Sequence, residues 1–119
     1  MKKLLLVLAL GLFTLTVNAQ DVKKVTLEQT AGEFTVKELK LSEGDYIFEI
    51  TNNGVDHAVG LVIAPEGKTD AANHIKTAYV KTTPKNGESS ETNVVTLTKG
   101  AYVYFCPLNP TIEYKLTVE

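Results

Sequence analysis

Residues 102–119 read YVYFCPLNPTIEYKLTVE. With Ala101 before it, the stretch begins in a strand signal rich in aromatics, Ala101–Cys106. Tyr102 and Tyr104 share the parity of Cys106, while Val103 and Phe105 face the other way. Pro107-Leu108-Asn109-Pro110 is a loop bounded by two prolines. Thr111–Val118 reads as a last strand with Ile112, Tyr114, Leu116 and Val118 on one face. A thiol thus sits where a strand gives way to a short loop. Asn109-Pro110-Thr111 has the outline of a glycosylation acceptor, but Pro in its middle position blocks it.

The chain upstream has the same texture. Val25-Thr26-Leu27 lies in a first apolar run, and Phe34, Val36, Leu39 and Leu41 mark a second, with a break in period near Lys37–Glu38. Ser42-Glu43-Gly44-Asp45 is a turn. Tyr46, Phe48 and Ile50 then alternate with Ile47, Glu49 and Thr51, which suits a strand buried mainly on one face. Asn52-Asn53-Gly54 closes it, and Ala58–Ala64 reads as a central strand. Ala71, Ala72, Ile75, Ala78 and Tyr79 follow helical spacing behind Asp70 as N-cap, so one short helix is expected over 70–80. Residues 82–92 are polar and read as a loop, and Asn93–Leu97 as a strand. Seven or eight short strands with one inserted helix predict an all-β Greek-key sandwich.

Residues 1–19, MKKLLLVLALGLFTLTVNA, are expected to stand outside that domain. A basic start, the apolar run Leu4–Phe13 and the small-residue exit Val17-Asn18-Ala19 are the layout of a secretory leader cut before Gln20. The run is too short to span a bilayer, and no Cys follows the cut for lipid attachment. The expected product is a single domain, residues 20–119, exported to a periplasm or secreted, with no membrane anchor. It carries one Cys (Cys106), two His (His57 and His74), and no Met, Trp or Arg. One Cys makes no internal disulfide. Removing Lys2 and Lys3 leaves 10 basic against 14 acidic residues, a net charge of −4. An evenly spread acidic surface argues against nucleic acid and anionic membranes as partners.

Enzyme signatures are missing from the sequence. There is no G-x-S-x-G elbow, P-loop, H-E-x-x-H or C-x-x-C motif. None of Ser42, Ser89 and Ser90 has a His in a suggestive position, so the expectation is a non-enzyme. Two places carry chemistry. One is Asn52-Asn53-Gly54-Val55-Asp56-His57, a turn delivering a His toward the next strand. The other is Cys106 with its loop. A His and a Cys at neighbouring strand ends suit a soft or borderline metal, whereas a lone Cys is also among the most buried of residue types. The aromatics beside Cys106 read as packing, with an electron relay through the tyrosines as the alternative.

From about Phe34 to Glu119 the chain resembles the cupredoxins, the blue-copper family of plastocyanin, pseudoazurin and amicyanin. Three pieces carry the resemblance: Leu41–Ile50 (LSEGDYIFEI), Thr51–Val62 (TNNGVDHAVGLV) and Tyr102–Glu119. It implies a sandwich of cupredoxin type, a copper cofactor, and His57 and Cys106 as ligands. The family's second His and its Met follow the Cys; here those slots hold Asn109 and Ile112, and Ala58 replaces the Asn common after the first His. A blue site needs two imidazoles and a thiolate in a trigonal plane. One nitrogen and one sulfur remain, a set for Cu(I) in low coordination. His74 is the only other imidazole, and it reads as a helix-edge residue unless the helix folds over the Cys106 end. The resemblance therefore predicts a Cu(I)-type or degenerate copper site working in electron transfer or copper handling with a redox or copper-handling partner protein. The alternative is a metal-free module that binds a protein partner or small ligand with the same loops.

Overall fold

The computed structural model describes residues 21–119; the leader read in residues 1–19 lies outside the described residues. The described chain is all-β, in two facing sheets. In chain order the strands are β1 (Val22–Thr30), β2 (Glu33–Phe34), β3 (Glu38–Leu41), β4 (Gly44–Asn52), β5 (Val62–Pro65), β6 (Ser89–Glu91), β7 (Val95–Leu97), β8 (Gly100–Phe105) and β9 (Tyr114–Val118). One sheet runs β2-β1-β4, with β6 and β7 sharing the outer edge of β4; the other runs β3-β9-β8-β5. β1 pairs β4 in parallel and β3 pairs β9 in parallel, while the remaining ladders are antiparallel.

The period break near Lys37–Glu38 has a structural cause. The chain finishes β2 in the first sheet and enters the second as β3, so the inward face must change. Phe34 marks the crossing. Its side chain is fully buried, and its ring meets Tyr104 and Tyr114 of the opposite sheet edge-on, at 5.2 and 5.6 Å between centroids. The Phe34 N–H donates to the Tyr114 hydroxyl at 3.2 Å. Around this knot, Leu27, Phe48, Ile50, Leu97, Leu116 and Val118 fill the space between the sheets. The alternation read in β4 holds: Tyr46, Phe48, Ile50 and Asn52 all point inward.

Tyr104 is the largest fully buried side chain. Its hydroxyl donates to the Val36 carbonyl at 2.6 Å. Burial above all, then the neighbouring Tyr114 and Glu38, pushes its hydroxyl up from 10.0 to about 12. The folded state holds this proton more tightly than the unfolded chain does. Its contribution is therefore complete below pH 10 and is lost as pH rises toward about 12. A Tyr104→Phe variant should show a shallower alkaline loss of stability than the parent, measured as the urea midpoint between pH 9 and pH 12. Equal slopes would mean that Tyr104 does not titrate with unfolding.

Several local expectations need correction. Nine strands stand among the described residues rather than seven or eight, because two short pieces cover the outer edge of β4 and β2 has only two residues. One of those pieces, β6, lies inside the 82–92 stretch read as a loop. The expected helix over 70–80 is two 3-10 turns, Ala71–Asn73 and Lys76–Ala78, with His74 and Tyr79 in extended backbone. The Ile75 N–H leaves the helical ladder and donates to Ile63 of β5 at 2.8 Å, tying the segment to the sheet edge. The Asp70 side chain caps no backbone N–H and instead accepts from the Asn73 side chain. Ala58–Ala64 is not a central strand. Its strand begins at Val62 and lies at the edge of its sheet; just before it the Val59 N–H donates to the Pro84 carbonyl at 3.1 Å and the Gly60 N–H to Cys106 Sγ, contacts with loops rather than a ladder. Ile112 is 70% exposed and precedes β9. No helix among the described residues is long and apolar enough to cross a membrane.

Candidate functional site at the Cys106 end

β8 ends at Phe105, and Cys106 turns its side chain into the core, 1% exposed. The short loop after it is closed by the residue pair Cys106 and Thr111. The Cys106 N–H donates to Thr111 Oγ1 at 3.1 Å, and the Thr111 N–H returns to the Cys106 carbonyl at 3.3 Å. Two further N–H groups point at the sulfur. Gly60 and Asn109 each donate to Cys106 Sγ at 3.2 Å. Two donors aimed at one sulfur suit a thiolate ligand as well as a buried thiol.

Asn109 occupies the slot where the family resemblance places a second imidazole. Its side chain is 4% exposed and turns toward the β1–β2 turn. Both Nδ2 hydrogens are used, toward Gln29 Oε1 at 3.0 Å and the Thr30 carbonyl at 2.9 Å. Its Oδ1 accepts from the Gly32 N–H at 2.7 Å. Gly32 sits at φ +76°, a left-handed conformation that glycine adopts without strain and that aims this N–H at the loop. Gln29 is itself fully buried and donates from Nε2 to the Gly60 carbonyl at 2.7 Å. No buried side-chain nitrogen or oxygen among the described residues lacks a partner.

His57 stands in the loop before β5, exposed, with Nδ1 donating to the carbonyl of Ala58 at 3.0 Å. Its own carbonyl is held by the buried Asn52 side chain at 2.9 Å. The main chain that reaches the sulfur is Gly60, three positions on. His74 is engaged within its own segment. Its Nε2 faces the Thr69 carbonyl at 2.8 Å, and a carbonyl only accepts, so Nε2 carries the proton. In the neutral ring Nδ1 then accepts from the Tyr79 hydroxyl, also at 2.8 Å. The ring lies edge-on to Phe105 at 6.1 Å.

The copper cage that the resemblance implies needs two imidazoles and a thiolate. The second imidazole slot holds an amide already committed to three partners, and the Met slot holds the exposed Ile112. No group of three His, Cys, Asp or Glu side chains that could hold a metal occurs among the described residues. The residues present do not make up the trigonal blue-copper cage.

Beside the Cys loop lies an open depression of about 310 Å³. Its lining includes Gly60, Leu61, Val80, Thr83, Pro107 and Leu108. His74 and Tyr79 supply its polar edge. Leu108 and Tyr79 are 49% and 38% exposed, large apolar surfaces left to solvent at its rim. Sequence reasoning missed both Gln29 and this depression. Gln29 could have been found, since it is a polar residue on the inward parity of Leu27; the depression joins segments too distant in sequence for any local pattern to show.

The sandwich is a cupredoxin-like fold. Auracyanin A, a "blue" copper protein of Chloroflexus aurantiacus, superposes with a TM-score of 0.65 at 20% identity, covering 83% of this chain and 100% of that one. An auracyanin of Roseiflexus castenholzii gives 0.62 at 16%, covering 81% and 96%. Amicyanin of Paracoccus versutus gives 0.51 at 14%, covering 81% of each chain. No protein-family profile matches the chain, and no curated protein matches it by sequence.

Proposed function

We propose that this chain is an exported, metal-independent binding module on a cupredoxin-like sandwich, which seats an apolar side chain of a partner protein in the depression beside the Cys loop. The observation that carries the reading is the open apolar hollow rimmed by exposed Leu108 and Tyr79. Its volume is at the low end for small-molecule pockets of roughly 300–1,000 Å³. An open hollow of this size suits one protruding anchor side chain better than an engulfed ligand. The engaged Asn109 amide supports metal independence. The competing reading is Cu(I) held by Cys106 and His57, in electron transfer or copper handling, and the two N–H groups aimed at Sγ favour it.

N-acetyl-tryptophanamide serves as the anchor mimic, titrated into the purified protein while backbone amide resonances are followed. Saturable shifts at Gly60, Val80 and Leu108 are expected, with a Kd on the order of 1 mM. Leu108→Asp, a change at an exposed rim position, should abolish them. Absence of saturable shifts overturns the docking reading. In parallel, Cu(I) and Cu(II) are added to the parent and to Cys106→Ala. Stoichiometric copper in the parent that is lost in Cys106→Ala would put the copper reading in its place.

A further inference from the structure

We infer that the carboxamides of Gln29 and Asn109 form a clasp that fastens the Cys106 end of the sandwich without a metal ion. This rests on the metal-independent reading above. The hydrogen bonds form a closed ring. The Asn109 side chain donates to Gln29, Gln29 to the Gly60 carbonyl, the Gly60 N–H to Cys106 Sγ, and the Asn109 N–H returns to the same sulfur. The ring joins β1, the loop before β5 and the Cys loop, across sequence separations of 80, 31 and 46 positions. A metal held by ligands from such loops would tie them together in the same way. Here uncharged amides do so, buried and with every polar side-chain atom paired.

The clasp also works against a metal. A side chain at position 109 turned toward the sulfur would leave the Gln29 side chain, the Thr30 carbonyl and the Gly32 N–H without their present partner. Of these the Gln29 amide is fully buried, and a buried polar group left unpaired is costly. The clasp in addition fixes Gly60 by both its N–H and its carbonyl, and holds the residue next to Leu108. Gly60 and Leu108 line the depression, so Gln29 and Asn109 are positioning residues for it.

The test combines metals, variants and amide exchange on the full domain. The thermal midpoint of the parent should be the same in chelator, in Cu(I) and in Zn(II). Asn109→Ala and Gln29→Ala should each lower it by about 8 °C. The double variant should lose clearly less than the two combined, because each single change already breaks the ring and strands the other amide. In the parent, the Gly32 and Gly60 amides should exchange only through global unfolding, and in Asn109→Ala at least tenfold faster than the amides of β4. The parent exchange measurement stands even if a variant fails to fold. A midpoint raised by Cu(I) overturns the metal-independent reading and the clasp together. An unchanged midpoint with additive variant losses, or with fast Gly32 and Gly60 exchange in the parent, overturns the clasp alone.

Discussion

Replacing Phe34 by Ala is expected to remove about 4–5 kcal/mol of stability. The side chain is fully buried and contacts two tyrosines of the opposite sheet edge-on. Truncating a buried Phe costs roughly 3–5 kcal/mol through lost transfer energy and the cavity left behind. The two edge-on ring pairs put Phe34 in the upper part of that range. A domain of this size has about 5–15 kcal/mol in all, so the variant should lose at least a quarter of its stability. Urea titration of parent and variant is the measurement. A lower midpoint at unchanged slope is expected, whereas a loss below about 1 kcal/mol would mean that β2 is not the tie between the sheets.

The second expectation concerns Thr92, which is 1% exposed. β6 pairs residues 49–51 of β4 and β7 pairs residues 44–46, which leaves Phe48 between the two ladders. The Phe48 N–H donates to Thr92 Oγ1 at 3.1 Å, and the Thr92 N–H donates to the Phe48 carbonyl at 2.9 Å. The Thr92 side chain thus takes the place of a missing rung. Its hydroxyl proton goes to the Asn93 carbonyl at 2.7 Å. Thr92→Val keeps the shape and leaves the Phe48 N–H buried without an acceptor, a loss of about 2 kcal/mol. Thr92→Ser restores the oxygen and should recover most of that loss. If Val and Ser variants unfold at the same midpoint, the hydroxyl is not the rung.

The exposed ion pairs should matter far less. Lys24 with Glu91 and Lys37 with Glu33 each hold the carboxyl below and the ammonium above its usual range through the hydrogen bond between them. All four groups face solvent, where such pairs contribute little.

How far the sequence could be read depends on the range of the interaction involved. The alternation of Tyr46, Phe48 and Ile50 is a period of two within one strand, and it survives intact. The break near Lys37–Glu38 was visible, but not its meaning as a change of sheet. The helical spacing of Ala71, Ala72 and Ile75 misled, because the edge of β5 offers Ile75 a backbone acceptor that local propensity does not know of. Cys106 was read at a strand end both as a metal ligand and as a buried thiol, and the structure buries it there. What surrounds its sulfur was not legible. Gly60 and Asn109 reach it from two loops, and Gln29 binds both from a strand near the other end of the chain.

The all-β sandwich, the cupredoxin resemblance and the missing second imidazole can all be read in the residues alone. Each is a matter of residue identity and short-range period. What Asn109 does with its side chain comes from the folded arrangement of distant segments. From sequence it was a poor substitute for a ligand; in the fold its amide meets Gln29, Thr30 and Gly32. Hydrogen bonds between residues about 80 positions apart leave no periodic trace, and they form only when the two sheets have closed over them.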